Sequence, residues 1–133
     1  MTVDEFFGQI EMLEALVQAK MVDYDRLWAI ATKTTPGMDG MPHGTNITDK
    51  VGGIGARLAD LSREINALID SKSELVKVMQ KLPPNEYKAL YRHYVLGMTW
   101  EAAAEDMYIS PATIYRYREK GRENLKVIVN DIV

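Results

Sequence analysis

Apolar residues spaced alternately three and four positions apart run through the middle of this chain, and they constrain its fold more than any other feature. The ten positions of the run are Val51, Ile54, Leu58, Leu61, Ile65, Leu68, Lys72, Leu75, Met79 and Leu82. All except Lys72 are apolar, which is the heptad signature of a helix that packs lengthwise against another helix. Asn46 or Thr48 can cap the start of this helix, and Pro83-Pro84 stops it. The run therefore predicts one long coiled-coil helix that ends at the two prolines.

A looser stripe with the same spacing runs through the N-terminal segment. Its members are Phe6, Ile10, Leu13, Val17, Lys20, Tyr24, Leu27 and Ala31. The stretch TKTTPGMDGMPHGTN that follows is rich in Gly, Pro and other turn formers. Two helices of similar length with a short connection favour an antiparallel hairpin. We therefore expect residues 1–82 to form a coiled-coil helical hairpin with a loop at 34–48.

A hairpin of two helices buries only one side of each helix, so apolar residues outside the stripes need another partner. These residues are Met12, Leu16, Met21, Trp28, Val76 and Val78. They predict that the hairpin forms a homo-oligomer, a dimer or higher. The residues expected to carry the oligomer contacts are the heptad positions Leu58, Leu61, Ile65, Leu68, Leu75 and Met79.

After the two prolines, the pattern changes to short helices. The stretch NEYKALYRHYVLG has one apolar helical face and ends at Gly97, a plausible C-cap. A second helix starts at Thr99, and the three residues YIS separate it from a third helix. Ser110 caps that third helix, and Pro111 stands at its first position. A helix, a short turn and a second helix form the helix-turn-helix layout. We therefore predict a small helix-turn-helix domain at residues 83–133.

The faces of the last helix separate a buried side from a side that can meet DNA. With Ile114 at the centre of the buried face, a rotation of about 100° per residue brings Gly121 and Leu125 onto the same face. Arg116 then points away from the core. Tyr117 and Arg118 face or border the core and are expected to be scaffold.

The outward residues near the start of this helix, together with the two helix starts, are the candidate DNA contacts. They are Thr99, Ser110, Ala112, Thr113, Tyr115, Arg116, Glu119, Lys120 and Arg122. Arg116 is the strongest candidate for a guanine contact. Lys120 and Arg122 are expected to hold phosphates, and the amide ends at Thr99 and Ser110 can also meet phosphates. The alternative is a structural helix whose basic side is only solvated.

Composition limits the other classes of function. The chain has 133 residues, 19 acidic and 16 basic side chains, and a formal charge of −3. This excludes a histone-like protein that binds nucleic acid by bulk charge. The chain has no Cys, and neither His43 nor His93 has a second ligand at helical spacing, so no metal site is expected. No cofactor site, catalytic grouping or membrane span is recognisable either. We expect a cytoplasmic protein that is not an enzyme.

Residues 82–125 resemble region four of bacterial RNA polymerase sigma factors. The resemblance lies in the Leu-Pro-Pro opening, the Arg-x-Tyr of RHY, and a series of spaced positions. Those positions are Gly97, Thr99, Glu101, Ala104, the IS pair, Thr113, Ile114 and Leu125. The resemblance implies a helical module that reads double-stranded promoter DNA and can contact host RNA polymerase. Two departures stand out. Tyr108 occupies the bend where a small residue is usual, so the bend is expected to be wider or of another type, and the reading helix carries fewer basic residues than usual.

The hairpin replaces the other regions of a sigma factor, and this combination is similar to small proteins of phages and prophages of Gram-positive bacteria. That group is related to ArpU/RinA-type late transcriptional regulators. The resemblance implies a sequence-specific DNA-binding regulator of phage genes. Two alternatives stay open: a small-terminase-like protein that recognises DNA for packaging, and a sigma-like protein-interaction module that has lost DNA binding.

Overall fold

The computed structural model describes residues 1–33 and 44–132, and describes side chains for 1–33 and 53–131. In these ranges every regular element is helical, which confirms the predicted all-α class. The elements in chain order are α1 (Val3–Lys33), α2 (Gly44–Met79), α3 (Pro84–Leu90), a π-helical turn (Tyr91–Val95), α4 (Trp100–Asp106) and α5 (Pro111–Ile132).

The second long helix begins earlier than predicted. It starts at Gly44, so residues 44–48 of the predicted loop are helical, and neither Asn46 nor Thr48 is its N-cap. No proline stands between Gly44 and Thr48, so the sequence does not prevent the helix from starting before Asn46. Residues 34–43, the rest of the predicted loop, lie outside the described residues. At the other end the helix tightens after Met79, where the Leu82 amide donates to the Met79 carbonyl at 3.0 Å, because a residue before proline avoids helical geometry.

One compact unit contains residues Glu14–Asp70. Val17 of α1 and Leu61 of α2 are its buried side chains. The Lys20 ammonium lies 3.0 Å from the Glu64 carboxylate across the two helices. Within the described residues, all members of both predicted stripes are buried or half-buried, so the stripes mark the inward faces of α1 and α2.

The other compact unit contains Met1–Leu13 together with Ser71–Val133. Its main core joins the first turns of α1 to the C-terminal helices. The buried members are Val3, Phe6, Phe7, Ile10, Met79, Leu82, Leu90, Leu125 and Val129. A smaller cluster of Ala89, Ala103, Ala104 and Ile114 lies between α3, α4 and α5. Phe6 and Ile10 thus share a core with Leu90 and Leu125, while the division into domains at residues 82 and 83 stays a prediction.

The heptad residues assigned to oligomer contacts lie on the inward face of α2. Leu61 and Met79 have no exposed surface, and Leu58, Ile65, Leu68 and Leu75 are half-buried. Several apolar side chains outside the stripes do remain exposed: Met12, Leu16, Met21 and Trp28, the last to 55%. Val76 and Val78 are half-buried. Self-association through the hairpin stays a prediction, and these exposed side chains are the surface that motivates it.

Substitution of alanine for each of two helical glycines, Gly121 and Gly8, is expected to change the free energy of unfolding in opposite directions. A Cβ at Gly121 in α5 would lie 2.9 Å from the Leu90 Cδ1 and 3.3 Å from the Glu86 Cβ, and Leu90 is fully buried. We expect Gly121→Ala to lower the free energy of unfolding by about 1 kcal/mol, since overpacking of about 1–3 kcal/mol exceeds the gain in helix propensity. Chemical denaturation followed by circular dichroism measures this change.

The matched control is Gly8→Ala in α1. A Cβ at Gly8 meets no atom within 4 Å, so this variant is expected to stabilise the protein by about 0.5–1 kcal/mol. If both substitutions stabilised the protein, the close approach of α5 to α3 at Gly121 would be incorrect.

Candidate DNA-binding surface

The connection from α4 to α5 is built from backbone and capping hydrogen bonds. The Thr99 hydroxyl accepts from the Ala102 amide at 3.0 Å and caps the start of α4. At the end of α4, the Ile109 amide donates to the Ala104 carbonyl at 3.0 Å and the Tyr108 amide donates to the Glu105 carbonyl at 3.1 Å. This pair of bonds is a Schellman ending. It terminates α4 and turns the chain toward α5.

Ser110 then starts α5. Its hydroxyl accepts from the Thr113 amide at 3.2 Å and lies 2.8 Å from the Thr113 hydroxyl. Pro111 occupies the first helical position, where a missing amide proton costs nothing. Together with α4 and the turn at 107–109, this confirms the helix-turn-helix predicted from the sequence.

Tyr108 makes the bend in the left-handed conformation, with a φ of 58°. The expectation that Tyr108 would avoid this conformation by a wider or different bend was therefore wrong, because the Schellman bonds hold the backbone in the left-handed conformation despite the side chain. The side chain is 96% exposed, so packing inside the chain does not offset the backbone strain.

Tyr108→Gly should therefore stabilise the protein. The left-handed conformation costs a tyrosine about 1–2 kcal/mol, and the extra freedom of glycine in the unfolded chain cancels about half of the gain. We expect an increase in the free energy of unfolding of about 0.5–1 kcal/mol, measured by denaturation. Tyr108→Ala, which keeps the strained φ without the ring, should show no such increase.

The exposed side of α5 carries most of the sequence-predicted contacts. Ile114, Gly121 and Leu125 are buried, as the helical wheel predicted. The exposed members are Ala112, Arg116, Glu119 and Lys120, and Thr113 is half-buried. The Arg116 guanidinium lies 3.4 Å from the Thr113 hydroxyl and has no acidic partner among the described residues. The N–H groups of Arg116 are therefore available to a ligand on the exposed side of α5.

Two other predicted contacts are tied to neighbouring side chains. The Tyr115 hydroxyl donates to the Glu101 carboxylate at 2.7 Å. This hydrogen bond lowers the pKa of the Glu101 carboxyl and raises the pKa of the Tyr115 hydroxyl. The Tyr115 hydroxyl proton is therefore engaged by Glu101, and the ring is the part of this side chain that remains for a contact with DNA.

Arg122 is likewise engaged. Its guanidinium donates to the Asp4 carboxylate at 2.8 Å and to the Tyr94 hydroxyl at 2.7 Å. The bond to Asp4 is the main reason that the pKa of Arg122 is raised above its ordinary value. A phosphate contact by this residue would have to compete with a partly exposed ion pair to the first turn of α1.

The residues that support this surface form a chain of ring contacts that the sequence did not reveal. Phe7 stacks on Tyr94 with centroids 3.7 Å apart, and His93 stacks on Trp100 at 3.9 Å. The His93 Nδ1 donates to the Met98 carbonyl at 2.7 Å. The π-helical turn Tyr91–Val95 positions the His93 and Tyr94 rings. No periodicity in the sequence predicts such a turn.

No group of three or more acidic or His side chains lies close enough to hold a metal ion in the part of the chain that the structure describes. Within the same residues, none of the helices has the length and apolar character that crossing a membrane requires.

Comparison with known proteins identifies the C-terminal module. The family model of sigma-70 region 4 matches residues 72–125, which include the end of α2, α3, α4 and most of α5. No curated protein and no solved structure matches the chain. The module at residues 72–125 is thus a helix-turn-helix similar to sigma-70 region 4, a kind of module that supports DNA binding and contact with RNA polymerase.

Proposed function

We propose that this protein is a sequence-specific DNA-binding regulator of transcription, serving phage or prophage genes. The observation that carries the proposal is the surface of α5. Arg116, Ala112 and Lys120 are exposed on the half of the helix that follows the turn, while Ile114 and Leu125 fix its other side in the core. In a helix-turn-helix, the outward residues near the start of the second helix reach base edges in the major groove.

Arg116 is the residue proposed to read sequence. An arginine can donate two hydrogen bonds to the N7 and O6 of one guanine, a pattern that no other base offers. Lys120, one turn along the same helix, adds a charge that can meet the phosphate backbone. Glu119 between them can accept a hydrogen bond from a cytosine amino group.

An acidic chain gains little from non-specific attraction to DNA, so affinity must come from other sources. We propose that two or more copies associate through the long helices and bind DNA together. Linking two weak modules raises affinity by a factor of about 10²–10⁴ when both can bind at once. The exposed Met12, Leu16, Met21 and Trp28 support this step.

The proposal is tested by selecting duplexes from a random pool with the purified full chain and measuring affinity for the selected and scrambled sequences. We expect a shared motif and an affinity ratio of at least about 10³. Recovery of unrelated duplexes, with equal affinity for all of them, would contradict it.

The mass of the complex in solution separates this role from DNA packaging. Two to four copies fit a regulator that binds paired half-sites. A closed ring of eight or more copies would favour a packaging role for the same DNA-reading surface.

A further inference from the structure

We propose that Arg118 clamps one DNA phosphate beside the reading face of α5. This inference rests on the proposed function and adds a contact that the helical wheel assigned to scaffold. The side chain lies between α5 and α4, the two helices of the helix-turn-helix. It is half-buried, whereas Arg116 on the reading face is exposed.

Two aromatic rings hold the Arg118 guanidinium. Its Cζ lies 5.0 Å from the centroid of the Tyr115 ring and 5.7 Å from the Trp100 ring. Both rings are themselves fixed, Tyr115 by its hydrogen bond to Glu101 and Trp100 by its stack on His93. These cation–π contacts do not use the guanidinium N–H groups as hydrogen-bond donors to an acid, so those groups are left for a ligand.

Those N–H groups have no acidic partner among the described residues. Other arginines of this unit do: Arg92 lies 2.6 Å from Asp106, and Arg122 lies 2.8 Å from Asp4. Arg118 is instead surrounded by rings. A guanidinium that is held in place and not neutralised is suited to a planar, bidentate contact with an oxyanion.

Arg118 also lines an open cleft of about 630 Å³. The cleft is lined by Tyr94, Trp100, Arg118, Glu119, Arg122 and Glu123. Its two arginines and two glutamates carry no net charge, so a free anion is not concentrated there. A phosphate that other contacts of the duplex bring into place does not need that attraction, and this favours DNA over a free phosphate ion.

The placement matches the path of the DNA backbone. When the second helix of a helix-turn-helix lies in the major groove, the first helix crosses the backbone. Arg118 lies at this junction, against Trp100 in the first turn of α4. A contact here positions the protein on the duplex and carries no sequence information.

The test is the salt dependence of binding by the full chain. Each phosphate neutralised by a cationic side chain contributes about 0.9 to the slope of log K against log salt concentration. We expect Arg118→Gln to reduce this slope by about 0.9 and to weaken binding to selected and scrambled duplexes equally, by about tenfold. Arg118→Lys should retain the slope, because it retains the charge.

Arg63→Gln is the matched control. It removes the same charge from α2, where Arg63 pairs with Asp60, and it should leave the slope unchanged. Thermal melting checks that Arg118→Gln is folded. If it is not, Arg118→Met, which preserves the packing against Trp100, takes its place. Inorganic phosphate alone should not bind at the same salt concentration.

Three results would overturn the inference while leaving the proposed function intact. They are an Arg118→Gln slope equal to that of Arg63→Gln, a change in the ratio of selected to scrambled affinity, and tight binding of inorganic phosphate. Failure of the unmodified protein to prefer any duplex would contradict the proposed function itself.

Discussion

Phe6→Ala is expected to lower the free energy of unfolding by about 3–5 kcal/mol. Phe6 is 1% exposed and belongs to the core that α1 shares with α3 and α5. Its removal leaves a cavity in the cluster that also contains Ile10, Leu90 and Leu125, and the packed helices around it can collapse only in part. Urea denaturation followed by circular dichroism measures the loss. Since small domains are stable by only about 5–15 kcal/mol, much of the protein is expected to be unfolded on mild heating.

Gln9→Ala, an exposed position on the same helix, is the control and should change stability by less than about 0.5 kcal/mol.

A related expectation concerns the fragment 72–133, which retains the segment similar to sigma-70 region 4 but lacks Phe6 and Ile10. It should show no cooperative unfolding transition. If the fragment folds as stably as the full chain, the first turns of α1 do not contribute to the core that contains Leu90 and Leu125.

Arg116→Ala is expected to weaken binding to a selected duplex by about 10- to 100-fold, the usual value of a bidentate arginine–guanine contact. Binding to scrambled duplexes should weaken much less, so the ratio of the two affinities falls. The melting temperature should stay within about 3 °C of the unmodified protein, because Arg116 is exposed and a surface substitution usually changes the free energy of unfolding by no more than about 0.5 kcal/mol.

Tyr117→Ala is the paired control for the orientation of α5. Tyr117 is half-buried and packs against the cluster that contains Ile114 and Ala104. Its removal should lower stability first and affect binding only through folding. If both variants unfold, or if neither changes binding, α5 presents a different face to DNA.

Local patterns in the sequence were sufficient for the existence of the α-helices and for the sides that they bury, but not for the start of α2 or for the π-helical turn Tyr91–Val95. The three-four spacing around Leu61 and Val17 marked the inward faces of the long helices because helical periodicity alone sets which residues share a side. Thr99 and Ser110 marked two helix starts because their hydroxyls meet free backbone amides. The buried side of α5 followed from Ile114 by the same periodicity.

Contacts between distant segments were not available from these patterns. The buried cluster that Phe6 shares with Leu90 and Leu125 joins residues about eighty or more positions apart, and no local spacing encodes it. The hydrogen bond of Tyr115 to Glu101 and the cation–π contact of Arg118 with Trp100 depend on how α4 meets α5. The sequence predicted backbone strain at Tyr108. It did not show that the residue would nevertheless adopt the left-handed conformation, because that outcome depends on the Schellman hydrogen bonds at the end of α4.

The most direct test of the account is an NMR titration of the isotope-labelled full chain with the selected duplex. We expect the largest shifts of backbone amide signals on residues 112–120 of α5. Residues of the inward face, such as Leu125, should change little. Shifts confined to residues 14–70, or an absence of shifts at duplex concentrations that saturate the protein, would contradict the claim that α5 reads DNA.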